Sequence, residues 1–194
     1  MANPTSTAVD LVDLHRRAGV ATRVFVASVR PDQLIQPTNC EWDIRGLLNH
    51  IVSGNWWAAE LVNGKTIAEV GGRLDGDLLG VDVLGAYDAS LAAAQAAFAE
   101  PGALGRICRL SYGDLPGAVY ASHRLLDIFI HGWDIATATG QDDTLDPRLA
   151  TTVRALFEPH MAELQASGQF GQLVRPPAGA NAQTRLLAMT GRRA

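Results

Sequence analysis

The segment from Tyr120 to Asp134 constrains the fold more than any other part of the chain. Read as an α-helix at about 100° per residue, it places its polar side chains on one stripe and bulky apolar residues around the rest of its circumference. That stripe consists of Tyr120, His123, Arg124, Asp127, His131 and Asp134. Polar side chains enclosed in this way favour a site inside the protein over a solvated face, although the latter is the more common origin of such a stripe.

Three further long segments carry apolar residues at helical spacing. They predict helices from about Val9 to Arg30, from Ile44 to about Asn63 and from about Val81 to Ala99. Thr7 and Asp43 are placed to cap the first two of these helices, because a short polar side chain there accepts from the exposed backbone N–H groups. The segment that contains Tyr120–Asp134, called the central helix below, predicts the fourth long helix.

The remaining segments predict shorter elements, which follow from turn residues and prolines. In chain order they are an irregular loop over 65–79, a short extended piece over 104–112, a turn over 113–117, the end of the central helix near Gly140, a helix starting at Asp146-Pro147 and kinked at Pro159, and a helical stub over Gln183–Met189. Together these elements predict an all-α protein. The expected form is one domain, 1–194, with an antiparallel four-helix bundle over about 8–168, a short extra helix and a C-terminal extension over 169–194.

Composition and charge exclude several function classes. The chain has 194 residues and a net charge of −4, so it lacks the basic surface that nucleic acid or anionic lipid requires. Its apolar runs are far shorter than the ~20 residues of a membrane span. The first residues contain no basic region followed by an apolar stretch, so we expect no secretory signal and a cytoplasmic location. Cys40 and Cys108 are then expected as free thiols.

Asp127 and His131 form two ligands of a candidate metal site. They are four residues apart on a helix, so their side chains lie one turn above each other. His50 is the expected third ligand, because Gly46 and Gly54 flank it and helix-interior glycines cost about 1 kcal/mol each unless the space is needed. Two imidazoles and a carboxylate suit zinc first, and also nickel or ferrous iron.

Other polar residues have subordinate predicted roles. Asp134 and Asp43 lie seven residues from Asp127 and His50 and are candidates to orient the histidine ligands. His123 is a possible substitute ligand, ranked below His131. Two classes of residue are expected to be structural. They are the surface histidines His15 and His160, and the core or pocket-wall tryptophans Trp42, Trp56, Trp57 and Trp133.

Two sequence blocks resemble a known family. Cys-Glu-Trp-Asp-Ile-Arg-Gly-Leu-Leu-Asn-His, residues 40–50, resembles the W-D-V-R-x-L-x-x-H block of the DinB/YfiT-like superfamily. Residues 124–135 are similar to the block R-x-x-D-x-x-x-H-G-W-D-L of its actinobacterial branch, which is related to the N-terminal domain of mycothiol-dependent maleylpyruvate isomerase. Gln183-x-x-Leu-Leu-Ala-x-x-Gly-Arg192 also looks like this branch. The isomerase has Glu where this chain has Asp127, and it has an extra C-terminal domain that, from its length, we do not expect in this chain.

The resemblance implies a four-helix bundle that binds a divalent metal through His50, Asp127 and His131. It also implies mycothiol, a low-molecular-weight thiol, as cosubstrate of an S-transferase or isomerase acting on an electrophilic substrate. In that case Arg124 would orient a substrate carboxylate. A ferrous oxygenase with two histidines and one carboxylate, and a non-catalytic stress or ligand-binding protein, stay open as alternatives.

The expected pocket lies among Trp57, Tyr120, His123 and the loop over 71–77. The expected partners are a small-molecule thiol and an electrophile, with no nucleic acid and no membrane. The sequence leaves open whether the chain forms a homodimer.

Overall fold

The computed structural model describes residues 9–166 and 172–193, which form a mostly helical protein. Its helices are α1 (Leu11–Ala27), α2 (Ile44–Val62), α3 (Ile67–Val70), α4 (Val83–Ala99), α5 (Gly117–Thr139), α6 (Pro147–Phe157), α7 (Met161–Ala166) and α8 (Ala182–Met189). A small antiparallel hairpin, β1 (Ile107–Leu110) and β2 (Gly113–Pro116), lies between α4 and α5 in the chain. The all-α class is therefore confirmed, with this hairpin as an addition.

Aspartates begin several of the helices. Asp43 Oδ1 accepts a hydrogen bond from the backbone N–H of Gly46 at 2.8 Å, as predicted for the start of α2. Asp10 caps α1 by accepting from Asp13 N–H at 3.0 Å. Thr7 and the predicted bundle boundary at residue 168 lie outside the described residues. The caps formed by Asp43 and Asp10 each stabilise their helix by about 1 kcal/mol.

The central helix α5 is buried along most of its length. α1 packs against α5 and α4, and α2 packs against α4 and α5, so each of these four helices contacts two others. α1 and α5 approach so closely that a Cβ on Gly132 would lie 2.5 Å from Thr22 Oγ1. Thr22 in turn donates to the Ile128 carbonyl at 3.0 Å. This packing fixes the position of α5, which carries most of the candidate site.

The C-terminal helix α8 packs on α6. Leu186 and Leu187 are fully buried in the same apolar cluster as Leu149 and Val153. Burial of each such side chain stabilises the fold by about 2 kcal/mol. The described part of the C-terminal extension is therefore attached to the rest of the protein and returns the last residues toward α5.

Three local predictions are wrong. The segment 65–79 is not an irregular loop throughout: it contains α3 and a 3-10 turn, Gly71–Leu74. The missed signal was Thr66 with Glu69, which form a capping box. The predicted turn over 113–117 contains β2, which pairs with β1. His15 is buried rather than on the surface, because it lies on the side of α1 that faces Phe98.

None of the helices within the described ranges combines the length and the apolar character that crossing a bilayer requires.

Candidate metal centre

His50, Asp127 and His131 converge on one point between α2 and α5. Their ligand atoms all lie within 4.8 Å of one another. Nε2 of His50 lies 3.2 Å from Asp127 Oδ1, and Nε2 of His131 lies 3.4 Å from the same oxygen. Two imidazole nitrogens therefore point at one carboxylate oxygen, which is an arrangement that a single cation can bridge.

The two histidine rings are supported by different contacts, a stacked ring at His50 and a carboxylate at His131. The indole of Trp42 stacks on the His50 ring at a centroid distance of 4.5 Å. Nδ1 of His131 lies 2.9 Å from Asp134 Oδ2. In the neutral imidazole, a proton on Nδ1 would be donated to the Asp134 carboxylate, which would leave the Nε2 lone pair for a cation. Asp134 thus contacts the predicted ligand His131.

Asp43, the other predicted orienting residue, caps α2. Its Oδ1 is used by the backbone of Gly46, and among the described residues no hydrogen bond joins it to His50. The sequence spacing placed Asp43 two turns before His50, but the residue at the helix start turns its side chain toward the free N–H groups of the first turn. The prediction that Asp43 orients His50 is therefore not supported by its contacts.

Arg124 is hydrogen-bonded both to Asp127 and to residues of α2. Its Nη1 donates to Asp127 Oδ2 at 2.8 Å. Its Nη2 donates to the carbonyl of Ile51 at 3.3 Å and lies 3.4 Å from Asn55 Oδ1. The residue is 7% exposed. Both Nη groups contact protein acceptors, so the residue positions Asp127; because it also borders the main cleft, its contact with a substrate carboxylate stays a prediction.

Gly54 provides the space that Arg124 occupies. A Cβ on Gly54 would lie 2.4 Å from Nη1, 2.5 Å from Cζ and 2.6 Å from Nη2 of Arg124. At Gly46 a Cβ would lie 3.0 Å from Trp42 Cβ, on the residue that stacks against His50. The glycines on either side of His50 therefore admit the two side chains that support the site, as the cost of helix-interior glycine suggested.

The charges of the centre are arranged in pairs. Burial alone would raise the pKa of Asp127, but Arg124 and His131 hold it well below its usual range. Burial alone would lower the pKa of His131, but Asp127 and the hydrogen bond with Asp134 hold it well above its usual range. The two aspartates thus favour positive charge at His131. A divalent cation at the same place would supply that charge and would compete with a proton for the imidazole.

A cleft of about 1660 Å³ opens in front of the centre. The predicted pocket residues Trp57, Tyr120 and His123 all border it, as do His50 and Asp127. A smaller pocket of about 380 Å³ is lined by residues 74–76 and shares Trp42, His50, Ser53 and Trp57 with the main cleft. The space expected beside the 71–77 segment therefore adjoins the main cleft.

His123 is not part of the ligand group. Its Nδ1 lies 3.4 Å from the hydroxyl of Tyr112 in the hairpin, and burial lowers its pKa. Tyr120 is buried against Phe98 at a centroid distance of 6.1 Å. These two residues form part of the cleft wall.

Sequence reasoning missed Arg192. Its Nη2 donates to Asp134 Oδ2 at 2.8 Å and lies 3.5 Å from Cys40 Sγ. Cys40 Sγ is also 3.3 Å from Asp134 Oδ2. Both cysteines are free thiols, as predicted. The only sequence signal for Arg192 was its place in the C-terminal block that resembles the family, since it is 58 residues from Asp134.

The fold and the site define a helical protein with a two-histidine, one-carboxylate centre shared by two helices. The family model described as the mycothiol maleylpyruvate isomerase N-terminal domain matches residues 15–136, and the chain belongs to that family. The match includes His50, Asp127, His131 and Asp134, and it ends before Arg192.

Two similar proteins come from Mycobacterium tuberculosis. They are named "Uncharacterized protein MT0763" (strain CDC 1551 / Oshkosh) and "Uncharacterized protein Rv0738" (strain ATCC 25618 / H37Rv). Each is 38% identical to this chain over 160 residues, which covers 78% of this chain and 81% of the relative. No solved structure matches the chain.

Proposed function

We propose that this protein is a divalent-metal-dependent enzyme that uses a low-molecular-weight thiol of the mycothiol type, as an S-transferase or isomerase. The proposal includes a four-helix bundle of α1, α2, α4 and α5, and the cytoplasmic location expected from the sequence. It is carried by one observation: His50, Asp127 and His131 direct ligand atoms at a common point that borders a large cleft. The family supplies the link to mycothiol.

The donor set fits a divalent cation. Two imidazole nitrogens and a carboxylate are the usual ligands of catalytic zinc, and they also suit nickel and ferrous iron. Asp127 is anionic because of Arg124, and the Nδ1 contact of His131 with Asp134 leaves Nε2 for an ion. Three protein ligands would leave further coordination positions for a thiol. Zinc is the proposed metal.

An ion held there would keep the sulfur of a bound thiol as a thiolate near neutral pH. Other side chains of this chain position the ligands. Trp42 and Asp134 fix the planes of the two imidazoles, and Arg124 fixes the carboxylate of Asp127. Because the ligands are fixed in advance, binding requires little rearrangement.

The size of the cleft supports two small-molecule substrates. Its volume of about 1660 Å³ exceeds the roughly 300–1,000 Å³ of a typical pocket for one small ligand. Room for a thiol and an electrophile together is what a transfer between them requires, since proximity provides much of the rate enhancement. Trp57, Tyr120 and His123 would contact the electrophile. The proposal involves no nucleic acid and no membrane, and it leaves the homodimer open.

Calorimetric titration of the zinc-loaded protein with mycothiol tests the proposal. We expect binding heat with the loaded protein and none with the protein stripped of metal. His50→Ala should abolish both zinc binding and the heat, whereas the matched control His160→Ala, at an exposed histidine outside the ligand group, should retain zinc binding. Equal heats with and without zinc would overturn the thiol-dependent function.

A ferrous oxygenase is the second candidate, because two histidines and one carboxylate are also the ligand set of that class. Elemental analysis of protein purified without added metal separates the two. Bound zinc or nickel supports the thiol-dependent enzyme, and bound iron supports the oxygenase. A metal-loaded protein that transforms no electrophile in a single-turnover screen with thiol would instead be a non-catalytic binding protein.

A further inference from the structure

Arg192 forms a two-pronged ion pair with Asp134. Nη2 lies 2.8 Å from Oδ2, and Nε lies 3.3 Å from Oδ1. Asp134 is completely buried, and the side chain of Arg192 is only 14% exposed. Contacts of this kind, in which the planar guanidinium faces both carboxylate oxygens, fix the orientation of the carboxylate as well as its charge.

The position of Arg192 is fixed by the end of α8. Its backbone N–H donates to the carbonyl of Leu187 at 2.9 Å, and its Nη1 donates to the carbonyl of Thr190 at 2.8 Å. Gly191 adopts φ +85°, a left-handed conformation that glycine reaches without strain. Because α8 is itself packed on α6, the guanidinium is held at a defined place beside α5.

Asp134 requires a partner of this kind. Burying a carboxylate costs several kcal/mol unless it is paired and hydrogen-bonded. Its other contacts are Nδ1 of His131 at 2.9 Å and the thiol of Cys40 at 3.3 Å. Arg192 is thus the permanent cation of the group. Arg124 forms the corresponding ion pair with Asp127, so each of the two carboxylates is paired with its own arginine.

We propose that Arg192 is a positioning residue of the metal centre, which acts on the ligand His131 through Asp134. By holding both oxygens of Asp134, it fixes the imidazole of His131 with Nε2 toward the metal position. The inference rests on the proposed metal binding. It also means that the centre is completed by a residue outside the stretch 15–136 that the family model matches.

The test is cobalt binding to the full-length protein. Affinity is measured by competition with a chromophoric chelator, and the visible absorption of bound Co²⁺ reports the ligand geometry. We expect Arg192→Gln to weaken Co²⁺ binding about 10- to 100-fold, the usual effect of losing such an outer partner, and to change the spectrum. Arg192→Lys keeps the charge without the two-pronged contact and should recover part of the affinity. Arg185→Gln, which removes an exposed charge on α8, should match the wild type.

The outcomes separate the two levels of the proposal. Wild-type affinity and spectrum in Arg192→Gln would overturn the positioning role and leave the metal site standing. Absence of Co²⁺ binding by the wild type would overturn the metal site and the positioning role together. Thermal melts monitor folding of each variant. Should Arg192→Gln not fold, Arg192→Lys decides alone: an unchanged cobalt spectrum and affinity in that variant would refute the inference.

Discussion

Gly54→Ala is the most direct test of how the centre is supported. The added methyl group would lie 2.4 Å from Nη1 of Arg124, whereas ordinary contact begins at 3.4 Å, so the guanidinium must retreat by about 1 Å. That movement lengthens its 2.8 Å contact with Asp127 beyond hydrogen-bonding distance. Losing a hydrogen bond to a charged group costs about 1.5–3 kcal/mol. Replacing a helix-interior glycine by alanine stabilises the helix by about 1 kcal/mol. We therefore expect a net loss of about 0.5–2 kcal/mol in the free energy of unfolding.

Urea denaturation of the metal-free protein measures this change. The matched control is Gly105→Ala, since a Cβ there meets nothing within 4 Å and the backbone has no left-handed conformation. It should be neutral or slightly stabilising. In an Arg124→Met background the clash is absent, and Gly54→Ala should become stabilising. If Gly54→Ala alone is as stable as the wild type, the guanidinium does not occupy this space and the account of Arg124 is wrong.

Three further predictions concern protons and charge. Zinc affinity should fall as the pH is lowered from 8 to 5, because protons compete with the ion for the histidine nitrogens. Burial alone would lower the pKa of His131, but Asp127 outweighs burial and holds this pKa above its usual range. Zinc affinity that stays constant in a chelator competition would exclude His131 as a ligand. Asp127→Asn should weaken zinc binding in the same assay by more than the roughly 10- to 100-fold typical of losing an outer partner, since it removes the anionic ligand itself, and undiminished binding would contradict the ligand set. Burial, with a contribution from Arg124, lowers the pKa of His15 from 6.5 to about 3. Between these values the unfolded chain binds a proton that the folded protein excludes, so stability falls as the pH decreases, by up to about 1.4 kcal/mol per pH unit. Replacing this residue, His15→Phe, should flatten that dependence in urea denaturation at pH 6 and pH 4, and equal slopes for the two proteins would show that His15 is not buried.

The helices were predictable because their signals are local. The starts of α2 and α6 follow from Asp43 and from Asp146-Pro147, whose caps act within one turn of helix. The pair Asp127 and His131 was predictable for the same reason, since helical spacing alone brings residues four apart together. His50 was identified because it combines flanking glycines with a family-like block.

The contacts across the chain were not predictable from spacing. Arg124 reaches Ile51 and Asn55 on another helix, and nothing in its own periodicity distinguishes a charge facing a substrate from one facing a buried carboxylate. His15 was predicted on the surface because its own helix offers no carboxylate at ligand spacing, which says nothing about the helices that pack against it. Packing between helices decides such cases.

Helices supply the ligands of the centre, whereas much of the cleft wall consists of segments that are not helical. The walls include the linker around residues 39–42, the hairpin at 110–112 and the final residues 190–193. Such segments tolerate sequence change more readily than packed helices. Exchange of the hairpin wall is therefore expected to alter which compounds enter without moving the ligands, whereas the other two walls contain Trp42 and Arg192, which contact His50 and Asp134.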